Sequence, residues 1–186
     1  MKIFLVFVCL GLASVAYVRN AGSAPYSADL VTVAGGRQST SKVYVGDNRL
    51  RTEVTTNSVQ IVTIARLDEK VVYVLIPMQK LFVEKPLREE DGLLAYISDQ
   101  NAQRELVGTE TLKGQSCDKY KMMMRDQVFY VWINKSSHTP MMMFSPDDKT
   151  RTEWNNVQVG PQPVDLFKPP GDFQKFITPP VVVEEQ

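Results

Sequence analysis

The sequence predicts a mainly β, antiparallel single domain with one covering helix, placed after an N-terminal export signal. Three observations predict it. Between Ser41 and Pro86 the chain reads KVYV, RLRTEVTT, SVQIVTIARL, KVVYVLIP and KLFVEKP, runs rich in β-branched and aromatic residues. The breaks between them are short turn signals, Gly46-Asp47-Asn48, Thr56-Asn57, Leu67-Asp68-Glu69 and Pro77-Met78-Gln79, the punctuation of an antiparallel meander. After one helix-period interruption the pattern resumes as RELVGTETL, SCDKYKMMM, VFYVWIN, PMMMFSP, KTRTEWNNVQV and VDLF.

The first residues belong to export rather than to the fold. Lys2 supplies a basic start, and Ile3 to Ala16 is an apolar stretch too short to span a bilayer. Small residues place cleavage after Ala16 or after Ser23, so residues 1–23 read as a signal peptide and 24–178 as the domain. Cys9 is no lipobox cysteine, because Phe7 and Val8 precede it where small residues are required. Residues 179–186 read as a flexible acidic tail.

About 165 residues remain, enough for one well-filled core. The whole chain carries 21 basic and 21 acidic residues; losing Lys2, and Arg19 with the later cleavage, leaves a net charge of −1 or −2. With no basic run, nucleic acid and polybasic membrane contacts are excluded as partners. Cys117 is the only cysteine beyond the signal, so no internal disulfide forms and a buried, unreactive thiol is expected.

Hairpin arithmetic fixes the register. A two-residue turn at Asp47-Asn48 sets Val45 opposite Leu50, Tyr44 opposite Arg51, Val43 opposite Thr52 and Lys42 opposite Glu53. One face is then dry (Val43, Val45, Leu50, Thr52, Val54). The other is wet, with a Tyr44/Arg51 stack and a Lys42/Glu53 pair. A turn at Asp68-Glu69 sets Ala65 opposite Val72, Ile64 opposite Tyr73, Thr63 opposite Val74, Val62 opposite Leu75 and Ile61 opposite Ile76. Both faces of these strands are apolar, so something must cover each side. Leu81 then falls by Ile76 and Phe82 by Leu75. Around Asp126, Tyr120, Met122 and Met124 share a face with Phe129, Val131 and Ile133.

The interruption, LREEDGLLAYISDQ, carries Leu87, Leu94 and Ile97 on one helical stripe, which predicts an amphipathic helix over Leu87–Gln100 lying on the sheet. The chain closes with Lys168-Pro169-Pro170-Gly171 and a short Phe173-to-Ile177 segment.

Taken together, the signal, the continuous strands, the inserted helix, G-x-E-T-x-x-G-x-x-C-x-x-Y (Gly108 to Tyr120), V-W-I-N and L-F-x-P-P-G (Leu166 to Gly171) resemble the LolA/LolB-like envelope proteins, in an uncharacterised bacterial periplasmic branch. The resemblance spans nearly all of the domain. It implies an unclosed antiparallel half-barrel of about ten or eleven strands, with a hydrophobic cavity for acyl chains on its concave side. Those proteins begin with a long amphipathic helix, whereas Tyr26-Ser-Ala-Asp-Leu-Val-Thr-Val reads as strand, so the cover is reduced here.

Sharper chemistries find little support. Met122-Met123-Met124 and Met141-Met142-Met143, with Cys117, raise a soft Cu(I) site as a distant alternative, but consecutive strand residues point to opposite faces. His138 in Ser136-Ser137-His138-Thr139 lacks the oriented third group and positioned nucleophile of a hydrolase. Asp147-Asp148 and Glu89-Glu90-Asp91 read as solvated charge, and the Asn134-Lys135-Ser136 sequon has no meaning in a bacterial envelope. The expectation is a non-enzymatic periplasmic protein of a Gram-negative-type bacterium, monomeric, with no cofactor, no metal and no transmembrane segment after the signal. Its partner is a lipid or an acylated lipoprotein. The pocket residues expected from the dry face are Val43, Val45, Leu50, Ile61, Val72, Val74, Tyr120, Met122, Phe129 and Val131. The competing reading is a filled core in an envelope protein-interaction or stress-sensing domain that docks another envelope protein.

Overall fold

Turn chemistry sets the pairing of the sheet. Gly35 and Gly36 both adopt positive φ (56° and 75°), the conformation that a two-residue hairpin turn needs to follow the twist of its strands. Asn48, Asn57, Ser58 and Lys113 accept the same left-handed region at the next hairpins. In the computed structural model, residues 24–88, 104–124, 127–147 and 149–177 are described.

They form twelve strands: β1 (Tyr26–Ala34), β2 (Arg37–Gly46), β3 (Arg49–Thr56), β4 (Val59–Arg66), β5 (Val71–Ile76), β6 (Leu81–Pro86), β7 (Arg104–Leu112), β8 (Gln115–Met124), β9 (Gln127–Asn134), β10 (Pro140–Ser145), β11 (Thr150–Val159) and β12 (Gln174–Lys175). They make one unclosed sheet in the order β12-β6-β5-β4-β3-β2-β1-β11-β10-β9-β8-β7. All pairs are antiparallel except β12 with β6. The mainly β, unclosed antiparallel sheet expected from the sequence is the architecture found. Every register derived from the Asp47-Asn48 turn holds, as do Ala65–Val72, Thr63–Val74 and Leu75–Phe82.

The two faces pack differently. On one, Tyr26, Leu30, Val43, Leu50, Val72, Val131, Met143 and Trp154 belong to a single buried cluster reaching from β5 to β8. On the other, burial breaks into two islands, one around Ile64 and Leu75, the other around Cys117 and Trp132. Curvature explains the difference: side chains converge inside a curled sheet and splay apart outside it. The continuous cluster therefore marks the concave face.

Among the described residues the strands number twelve against the ten or eleven expected, because Gln174–Lys175 adds a short parallel edge strand, its Gln174 N–H donating to the Lys80 carbonyl at 2.8 Å. Two expectations need correction. Val164–Phe167, expected as strand, is a 3-10 turn closed by Leu166 N–H to the Pro163 carbonyl. β11 has no edge left for it, since β1 and β10 flank it on both sides.

The outer face of β2–β3, expected to be wet, is also covered. Phe167, 2% exposed, packs with Val62, Ile64 and Leu75, and Tyr44, Tyr73 and Phe82 close around them. Arg51 therefore does not stack on Tyr44. It donates to Glu53 at 2.7 Å and to the Leu166 carbonyl at 3.0 Å, while Lys42 lies over the Tyr44 ring at 5.7 Å. The covering segment brings carbonyls that the guanidinium satisfies. The Leu87–Gln100 helix lies mostly outside the described residues, as do the signal segment and the acidic tail. Leu87 itself packs against the concave cluster, its N–H donating to the Lys70 carbonyl.

Gly46 lets the Phe167 ring approach: a Cβ there would sit 3.2 Å from two ring carbons. Phe167→Ala should remove about 3–5 kcal/mol of stability, read as a lowered midpoint in urea denaturation at unchanged slope. A loss under about 1 kcal/mol would show that the C-terminal segment is not part of the core.

Candidate functional site

Strand alternation brings all ten sequence-predicted pocket residues to the concave face. They are not equally placed. Val43, Val45, Leu50, Val72, Met122, Phe129 and Val131 are buried in the continuous cluster, and Val74 and Tyr120 are half-buried against it. Ile61 stands apart, 42% exposed.

The pattern has a direction. Val45, Leu50, Ala65 and Val72 pair near the sheet end that carries the Asp47-Asn48 turn, and all are buried. Toward the opposite end, the same face carries Val54 opposite Ile61 and Val74 opposite Val83, all half-buried or exposed. Across the sheet, Leu106 opposite Tyr120 is 56% exposed, and Arg104 holds its guanidinium 4.5 Å from the Tyr120 ring centroid. The concave face is thus packed at one end and loosens at the other into half-buried and exposed apolar residues, with the Arg104 guanidinium over Tyr120 near the β7 edge.

The polar candidates resolve into structure. Asn134 of the sequon is buried; its Oδ1 accepts from the N–H groups of Ser136 and Ser137 at 2.8 and 2.9 Å, and its amide donates to Gln115. His138 sits at positive φ, its N–H bonded to the Asn134 carbonyl. The methionine triplets split as alternation requires, Met122 buried and Met123 62% exposed. Among the described residues no group of three or more His, Cys, Asp or Glu is placed to hold a metal, and no helix is long and apolar enough to cross a membrane.

On the outer face, Cys117 is fully buried beside Trp132 and Met141, and burial pushes its thiol above the ordinary value. Its neighbour Glu110 accepts from Lys119 at 3.0 Å and from the Trp132 indole at 2.7 Å, and these bonds hold its carboxyl below the usual range. Lys119 also lies 4.7 Å from the Trp132 ring. The sequence alone did not bring Glu110 to Trp132. The signal was the pairing of β7 with β8 and β8 with β9, which sets Glu110 opposite Cys117 and Lys119 opposite Trp132.

The sequence model of a family described as "Domain of unknown function (DUF4412)" matches residues 28–139, from β1 to the β9–β10 loop. No curated protein matches. Among solved structures, an uncharacterized conserved protein from Thermus thermophilus is similar over 83% of this chain and 90% of its own, with a TM-score of 0.60 at 15% identity. PNGF-II is similar over 82% of this chain but only 30% of its own, with a TM-score of 0.50 at 9% identity. A LolA superfamily protein from Nitrosomonas europaea, covered over 90% of its length, is a more distant neighbour, with a TM-score of 0.36 at 10% identity over 78% of this chain. For the first two, at these identities, the likeness is one of fold alone.

Two outcomes follow from the outer cluster. In a Cys9→Ser background, Cys117 should resist a thiol-reactive chromogen in native buffer and react at once in urea; fast native labelling would contradict its burial. Glu110 titrates lower in the folded than in the unfolded chain. Its contribution is therefore present above the ordinary glutamate value of 4.5 and is lost as pH falls through the lower, folded value. Glu110→Gln should flatten the acid limb of a stability–pH curve while shifting the Trp132 emission; an unchanged limb would overturn the coupling.

Proposed function

The chain belongs to the DUF4412 family, and we propose that it is a non-enzymatic periplasmic binding protein that holds a lipid, or the acyl chain of a lipoprotein, on its concave face. The observation that carries this reading is the loosened end of that face. Val54 opposite Ile61 and Val74 opposite Val83 are apolar pairs on neighbouring strands that are half-buried or exposed rather than enclosed by the packed cluster. An acyl chain laid along these pairs gains about 0.8 kcal/mol per buried methylene. Arg104, without a carboxylate partner among the described residues, stands at the opposite edge, where it offers a charge-assisted hydrogen bond to an acidic head group. Val43, Val45, Leu50, Val72 and Val131 then serve as the floor that keeps the face rigid, and Val74, Tyr120 and Ile61 touch the ligand.

A specific observation favours a second reading. Val43, Val72 and Val131 are wholly buried, as in an ordinary core, while β7 ends the sheet with Leu106 and Val107 exposed. An apolar edge that no other described strand pairs is suited to adding a strand from another envelope protein.

A substitution separates the two. The wild-type protein should take up a fluorescent fatty acid saturably. Val74→Arg should stay folded, its guanidinium reaching water along the open end, and lose uptake by about tenfold or more. No saturable uptake of any acyl probe by the wild type would sink the lipid reading in favour of the edge-docking one. Unfolding of Val74→Arg would place Val74 in the core and out of any pocket.

A further inference from the structure

We propose that a second site, at the packed end of the sheet and separate from those apolar pairs, binds a neutral saccharide. A cleft of about 850 Å³ opens where the Lys113-Gly114 turn, the β9–β10 loop and the last residues of β11 meet. That volume lies within the range of small-molecule sites.

The chemistry of its walls points to a ligand with many hydroxyls and no net charge. Most of the lining is amide or hydroxyl, and Lys113 supplies the one formal charge. That charge is already met: its Nζ lies 2.9 Å from a Glu153 carboxylate oxygen and 2.5 Å from Asn155 Oδ1. The Lys113 ammonium in turn holds Glu153 below the usual carboxylate range. An anion entering here would find its cation spent, whereas neutral donors and acceptors remain available.

The floor supplies the second half of the argument. Trp154, 1% exposed, is among the most deeply buried residues of the lining, and Met141, Val157 and Val159 complete its apolar part. The Trp154 indole N–H is buried without an acceptor among the described residues. An indole left in that state has lost its hydration without compensation, and a ligand oxygen reaching the floor would supply the missing acceptor. A sugar ring combines an apolar C–H face with hydroxyls around its edge, so it meets both kinds of wall at once. The walls are also set in advance. Asn134 holds Gln115 and the turn at Ser136 and Ser137, and the Ser137 hydroxyl bonds Thr139 at 2.8 Å, so little order is lost on binding.

The test is a titration of the ¹⁵N-labelled protein with maltose and with N,N′-diacetylchitobiose, following the two indole N–H signals, assigned with Trp132→Phe. The Trp154 signal should shift saturably at millimolar sugar and that of Trp132 should stay still. Asn155→Ala should weaken the binding by about tenfold, and so should Ser136→Val, a second wall position that keeps the test usable if the first variant fails to fold. No saturable shift below about 50 mM of either sugar would overturn the proposal. So would tighter binding of glucuronate or inorganic phosphate than of the neutral sugars, or full affinity in both folded variants. Uptake of an acyl probe by the same preparation reports on the other end of the sheet, so either reading can fail without the other.

Discussion

Side chains on a strand alternate, so a long curled sheet has two faces to keep dry with one chain, and the rest of this structure depends on that constraint. The concave face solves it by convergence: strands far apart in the sheet share one cluster. The convex face cannot converge. It is closed locally, by Phe167 and its 3-10 turn over β2–β6, and by Cys117, Trp132 and Met141 among β8–β10. Gly46 and Arg51 are adapted to that cover, the first by making room for the Phe167 ring and the second by binding the Leu166 carbonyl.

The proposed function rests on where the constraint is relaxed. The concave cluster is complete near the Asp47-Asn48 turn and incomplete toward the other end, where Ile61 and its neighbours are apolar without being buried. Polar groups gather at the opposite end, in the turns of β7–β8 and β9–β10. One sheet thus presents two chemically distinct surfaces, because its turns and its face have different solvents to satisfy.

Much of this was legible in the sequence. The Asp47-Asn48 turn fixed a register that holds residue by residue, and the Asp68-Glu69 turn one that holds from Ala65–Val72 to Val62–Leu75, since a slip of one would have put Val43 and Val72 on the wrong side. Alternation likewise placed the ten predicted pocket residues on a common face. It did not say which of them would be packed: exposure of Ile61 and burial of Val45 depend on position along the barrel axis, which a period of two does not encode. Val164–Phe167 reads as strand because its apolar pattern suits one, and only the pairing of β11 with both β1 and β10 removes the edge it would need. The polar cleft was invisible for a similar reason. Lys113, Asn134 and Trp154 are far apart in sequence, and no local motif announces their meeting.

The central claim is that the loosened end of the concave face holds an acyl chain. Native mass spectrometry of the protein purified from the bacterial envelope, without detergent, tests it most directly. The account predicts a fraction of molecules heavier than the bare chain by the mass of a lipid, released on collisional activation and depleted in Val74→Arg. A single species at the bare mass, from wild-type protein that is folded and freshly isolated, would contradict it.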